Sequence, residues 1–387
     1  AWNNHGQEYE TELVKRLRPE IARFGKLLEW VKRFEFVFIL VPIAKLLKIA
    51  RFSDEFSNYM VFPLTALFFG TGNQTPSVSS AIIARVFLDP DLKLFDYDPN
   101  YLLSQQPEMF AFDNLESIYT KILRESTSVK CCFKRTAQSI ERSSHRVTIV
   151  DSAGVREEFD ELVMACDAET ALKLLDGTTN QATFMERKVL GNVRYFDDIT
   201  VTHEDAEYMN KYYELDMKRR DQYFVRIHEK NPDCIDMSFN LTNYQPQLKE
   251  SERQIFQTIF LDKTRSQLWT RDEIRKEKIL LERWWHQFAH TWRHFAFTVP
   301  FVRFIQGKKR TWFCGSYTLF NTHEMAVMSG LAVAVRLGCS YPFGDDPLAT
   351  NQFDQYLKFS HGFKRPVKNS KSSTKSTSNN NKTSKID

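Results

Sequence analysis

The sequence lacks several things that would settle its class at once. It has no C-x-x-C pair. Its six cysteines, Cys131, Cys132, Cys166, Cys234, Cys314 and Cys339, stand mostly among apolar neighbours. That usage fits a reduced, cytoplasmic protein and not a disulfide framework. No G-x-S-x-G elbow, no P-loop and no paired carboxylates stand out, so the common hydrolase signatures are missing. No charge excess marks the body of the chain. The total is +4, and from Lys364 onward seven Lys/Arg face the single Asp387. Subtracting the tail's +6 from +4 leaves −2 for the rest, so no nucleic-acid partner is indicated. No basic n-region followed by an apolar h-region opens the chain, which starts with Ala.

Long apolar runs are also absent. The strongest, "FVFILVPIAKLLKIA" at 36–50, is interrupted by Pro42, Lys45 and Lys48. It falls short of the roughly 20 residues a membrane-spanning helix requires. It reads either as two buried helices broken at Pro42 or as an apolar face that grips a membrane or lipid substrate.

What is present is aromatic. Phe occurs 32 times in 387 residues, enough for large cores. The spacing of apolar residues predicts helix over "YETELVKRLRPEIARFGKLLEWVKRFEF", with a boundary at Pro19, and again over "SDEFSNYMVFPLTALFFG". A turn-rich loop, 70–79, leads into "VSSAIIARVFL" and then the amphipathic "FDNLESIYTKILRES". Alternating patterns next predict strands at 129–133 and 137–142, a hairpin of 146–150 with 155–159, a buried strand at 161–165, and a helix over "AETALKLL". Further strands are expected at 192–202, 236–243 and 311–314, with a last helix from His323. The Ser-, Lys- and Asn-rich end has almost nothing to bury and is expected to be disordered.

Three motifs bear on chemistry. "GTGNQT" begins like G-x-G-x-x-G, but Thr75 replaces the third Gly and a helical run precedes it, so it reads as a loop. His286, His290 and His294 recur every four residues, yet Gln287 stands where a metalloprotease Glu would be. They read as polar positions on an aromatic segment, with no metal expected. The third motif is "TWFCGSYTLFNTHEMAVMSGLAVAVRLG", 311–338. A short strand ends at Gly315, and a helix of small residues follows. Helix N-terminal amides bind anionic groups well.

This stretch resembles the C-terminal signature of the flavin-containing amine oxidase superfamily, through "FCGSY" and "EMAVMSGLAVA". "FKRTAQSIERSSHRVTIVDSAGVREEFDELVMACDAETALKLL" is similar to the same superfamily, and with "FFGTGNQTP" it points to the predicted FAD/NAD-binding oxidoreductase subgroup. The likeness spans about residues 34–340. It implies a mixed α/β fold: a three-layer FAD-binding domain interleaved with a substrate domain, with the N-terminal βαβ unit missing.

On that resemblance, 1–125 is a mainly helical substrate-domain segment and 126–180 holds FAD-domain strands and a hairpin. Residues 181–300 return to the substrate domain, 301–345 hold the last FAD-domain strand and helix, and 346–387 are a linker and basic tail. The cofactor implied is FAD. Ala137 would contact its adenosine part through the backbone. Gly315 and Ser316 would lie along the pyrophosphate and ribityl chain. Thr322, His323 and Glu324 would present N–H groups to the flavin ring. Tyr317 is a candidate for an aromatic lining the ring, and no catalytic base is identified.

Two departures matter. Ser316 stands where relatives often carry an acid, and no G-x-G-x-x-G unit is present, so the sequence is expected to be a fragment of an intact flavoprotein. The activity implied is hydride transfer from a C–H or C–N bond to FAD. Members of this subgroup can be fused to cyclopropane fatty-acid synthases, which favours a lipid-like substrate. A non-catalytic flavin-fold binding module is the alternative. Peripheral membrane contact through 36–50 and the basic tail is a further one.

Overall fold

A computed structural model describes residues 12–69, 72–88, 97–100, 102–103, 112–177, 181–213, 215, 221–228, 231–248, 251 and 253–366. The expected tail beyond 366 and Gly70–Thr71 of the "GTGNQT" loop lie outside the described residues.

The N-terminal part is helical. α1 (Glu12–Arg33) buries Val14, Leu17, Ile21, Phe24, Leu28 and Val31, a three-and-four spacing that lines one face. It runs through Pro19, where a boundary is predicted. An interior proline costs about 3 kcal/mol, whereas each buried apolar side chain contributes about 1.5–3 kcal/mol, so packing wins. The Tyr97 hydroxyl donates to the Ile21 carbonyl at 2.6 Å and accepts the Gly25 N–H at 3.2 Å. A Cβ at Gly25 would fall 2.2 Å from the Tyr97 ring, so only glycine fits.

The apolar run does break at Pro42, into α2 (Glu35–Phe38) and α3 (Ile43–Ile49). Only α3 contributes fully buried residues, namely Ile43, Leu46 and Leu47, so the run is half buried and half exposed. α4 (Phe62–Phe69) and α5 (Ser80–Leu88) complete this core. α6 (Leu115–Glu125) is amphipathic as predicted, yet buries none of its residues.

No strand forms at 129–133, a correction to the sequence reading. Val129 and Phe133 alternate correctly, but both are exposed and no neighbour supplies a ladder. β1 (Ala137–Arg142), β2 (Val147–Asp151) and β3 (Arg156–Phe159) form an antiparallel sheet in the order β1-β2-β3. β4 (Leu162–Met164) follows, then α7 (Ala168–Asp176), capped by Asp167, and α8 (Phe184–Leu190), opened by a capping box of Thr183 and Glu186. Arg142 grips Glu186 with two bonds, at 2.7 and 2.8 Å, and neither side chain touches solvent. This pair ties β1 to α8.

Five antiparallel strands then build the largest sheet: β5 (Tyr195–His203), β6 (Tyr223–His228), β7 (Asn231–Asn240), β8 (Phe256–Phe260) and β9 (Ile279–Phe288), ordered β9-β5-β8-β7-β6. β7 ends earlier than predicted because the Asn240 side chain caps the short helix Leu241–Tyr244. α9 (Ala206–Tyr213) packs beside it, in a cluster with Ile199, Val201, Phe256 and Phe260.

The chain then returns through α10 (Trp292–Phe297) to β10 (Thr311–Phe313), which pairs in parallel with β4. α11 (His323–Arg336) follows. Where a linker is expected from 346, the structure has α12 (Pro347–His361). Asp346 caps it, and Phe353, Tyr356 and Leu357 pack against Met325 and Ala332 of α11. Among the described residues no helix is long and apolar enough to cross a membrane.

Candidate functional site

β4 and β10 run side by side, with Thr311 opposite Leu162 and Phe313 opposite Met164. Their carboxyl ends therefore come together, and the Cys314 amide donates to the Met164 carbonyl at 3.0 Å. Ligands favour this edge in α/β sheets. Burial pushes the Cys314 thiol up to about 11 and also raises Cys166, so neither is a thiolate nucleophile.

Gly315 leaves the strand with φ 145° and ψ 164°, a region open essentially to glycine. A Cβ there would meet the Tyr317 ring at 2.9 Å. The Gly315 N–H donates to the Ser329 hydroxyl at 2.8 Å, which holds the loop onto α11. Ser316 is half-buried and its hydroxyl donates to Asn321 Oδ1 at 3.4 Å. Thr322 caps α11 by accepting the Met325 N–H at 3.2 Å. The His323 and Glu324 amides lie at the exposed first turn, where a helix supplies no carbonyl partner of its own. Glu324 adds a carboxylate to that turn, and the His323 ring meets the Tyr119 hydroxyl of α6.

Five of the six predicted residues thus form one group, Gly315, Ser316, Thr322, His323 and Glu324. Ala137 stands apart, half-buried at the start of β1 opposite Asp151, with no hydrogen bond to the others. Tyr317 is fully buried and its ring packs on Gly315. Among the described residues its hydroxyl has no hydrogen-bond partner, and burial holds its pKa well above the ordinary value. It supports the loop from beneath instead of lining an open face.

The residues the sequence reading passed over are the histidines. His286 lies on β9, stacked on Tyr195 with ring centroids 4.7 Å apart and bonded to Asp197 at 2.8 Å. His290 and His294 lie beyond the strand, so the three do not share one helix. His290 Nε2 accepts the Asn321 N–H at 2.8 Å. His294 Nε2 donates to the Leu319 carbonyl at 3.1 Å. Asn321 Nδ2 donates to the Phe288 carbonyl at 3.2 Å. Three bonds therefore pin residues 319–321, the run into α11, onto the corner between β9 and α10. Rings of Phe69, Phe288, Phe295 and Phe320 enclose His290. Burial keeps both imidazoles neutral, lowering His290 to about 3 and His294 to about 4.

Beside this corner lies a small cavity of about 10 Å³, room for about one water. Gln74, Asp198, Asp262, Gln287 and Phe288 line it. Asp198 accepts the Asp262 N–H at 2.6 Å and Gln287 Nε2 at 2.5 Å. Desolvation outweighs these bonds and raises Asp198 to about 6. It is a buried acid that sequence spacing does not reveal, because Asp262 comes from a different strand end.

No family model and no curated protein matches the sequence. Solved structures do match the fold. A CLA-producing fatty acid isomerase from P. acnes superposes with a TM-score of 0.52 at 15% identity, over 87% of this chain and 79% of that one. A protein assigned as a protoporphyrinogen oxidase from Exiguobacterium sp. 255-15 gives 0.55 at 13%, over 77% of this chain and 66% of that one. A double mutant of putrescine oxidase, redesigned in its cofactor binding, gives 0.52 at 10%, over 86% and 77%. The chain shares the mixed helix-and-sheet fold of these structures. At these identities the likeness carries the fold alone.

Proposed function

We propose that the protein is a FAD-dependent oxidoreductase of amine oxidase or desaturase type, acting on a lipid-like substrate. The observation that carries this reading is the loop at the carboxyl ends of two parallel strands, where the Gly315 amide is tied to Ser329 of α11 and the chain then opens that helix with the first-turn amides of His323 and Glu324. The residues here fit the ring end of FAD. Open donors at a helix start suit a ring carbonyl, and the Gly315 loop is held by Ser329 and Tyr317 so that its backbone is fixed. When bound, FAD supplies the acceptor for a hydride from a C–H or C–N bond.

The chain's own residues do the rest. The His290, His294 and Asn321 bonds fix the entry to α11. Ile82, Phe295 and Val299 are buried and, with Phe69 and Phe320, form an apolar core cluster behind that run. No residue here is assigned as a base.

A binding module without redox activity is the second reading. The sequence's missing G-x-G-x-x-G turn and the hydroxyl of Ser316 in place of an acid favour it. An absorbance spectrum of the purified protein separates the two. Flavin bands that bleach on anaerobic addition of an unsaturated fatty acid or an amine support the enzyme. A colourless protein that takes up no FAD leaves the binding module.

A further inference from the structure

We propose that the α2–α3 corner is a docking surface for an anionic lipid bilayer.

Phe36, Val37 and Leu40 at the corner and Ile49 at the end of α3 are exposed, Phe36 by 77% and Ile49 by 66%. Trp30 is 62% exposed and stacks on Phe34 at 5.4 Å. Single exposed apolar side chains are ordinary, but Phe36, Val37 and Leu40 stand exposed together on one turn and the corner that follows it. Charge indicates what covers it. Residues 29–51 carry Lys32, Arg33, Lys45, Lys48 and Arg51 against Glu29 and Glu35. Glu35 is already held by Arg85 through two bonds. Apolar tips flanked by lysines and arginines match the acyl and anionic headgroup layers of a membrane surface. A second copy of this chain would bring like charge against like charge.

The corner is also anchored from within. Ile39, between exposed Phe36 and Leu40, packs on the buried Ile82, Phe295 and Val299, together with Phe69, Leu319 and Phe320. Leu319 is the residue whose carbonyl His294 holds. Core packing thus fixes the corner in place, with its apolar tips turned to the outside.

Sedimentation of the full chain with vesicles tests the docking. The vesicles are phosphatidylcholine, with or without phosphatidylglycerol. The wild-type protein is expected to bind the mixed vesicles, more weakly at high salt. Phe36→Ser with Leu40→Ser should reduce the bound fraction about tenfold while leaving the urea midpoint unchanged. Lys45→Glu with Lys48→Glu should remove the preference for phosphatidylglycerol. The proposal is overturned if wild-type protein ignores both vesicles, or if the apolar double variant binds as before. It is also overturned if deleting 364–387 alone abolishes binding, or if the corner mediates a dimer that the double variant dissolves. Vesicle binding requires no flavin. A protein that docks but takes up no FAD keeps this surface and loses the proposed activity, and the reverse result does the opposite.

Discussion

Gly315→Ala is the sharpest perturbation of the loop that opens the site. The backbone there has φ 145° and ψ 164°, and an alanine held in that region costs about 1–3 kcal/mol. The new Cβ would sit 2.9 and 3.0 Å from two carbons of the Tyr317 ring. That ring is only 2% exposed and belongs to the cluster of Phe313, Met164 and Ala168, so it has little room to retreat. Overpacking of this kind costs about 1–3 kcal/mol more. Together the loss is about 2–6 kcal/mol, a large share of the 5–15 kcal/mol typical of a folded protein. Urea unfolding followed by far-UV circular dichroism measures it. A cycle with Tyr317→Leu isolates the clash, and relief of at least about 1 kcal/mol is expected in the double variant. A Gly315→Ala protein with the wild-type midpoint would refute the reasoning.

Three other outcomes follow from buried charge. Glu186→Ala strands Arg142 without a counter-charge and should cost about 3–5 kcal/mol in the same assay. Asp198 is raised from 3.8 to about 6, so the folded state binds its proton more tightly. Its contribution is complete below pH 3.8 and is lost as pH rises through about 6, a difference of about 3 kcal/mol. Asp198→Asn should flatten that limb of the stability–pH curve. His290 runs the other way: lowered from 6.5 to about 3, it binds fewer protons folded than unfolded, so it costs stability as pH falls below 6.5. His290→Gln keeps an acceptor for the Asn321 amide and should move acid unfolding to lower pH.

The parts legible in the sequence are those where period and cap agree. β1, the β2–β3 hairpin, β4 and α7 lie within a residue or two of their predicted places, because alternation, turn residues and the Asp167 cap coincide there. The turn at Gly315 and the helix opened by Thr322 were also legible, since glycine, a threonine cap and small helix residues are local signals. The misses are non-local. Residues 129–133 alternate like a strand but find no partner strand. α12 carries Phe353, Tyr356 and Leu357 at helical spacing behind an Asp346 cap, yet its burial depends on α11. The roles of His290 and His294 depend on bonds to residues 25 to 31 positions away, which no spacing rule anticipates.

In the proposed function a flavin ring meets the start of α11. Hydrogen–deuterium exchange of the protein with and without added FAD measures this contact. Slowed exchange over residues 316–326 on loading is expected, with the β5–β9 sheet unchanged. Equal exchange over 316–326 in the two forms, with protection elsewhere, would contradict it.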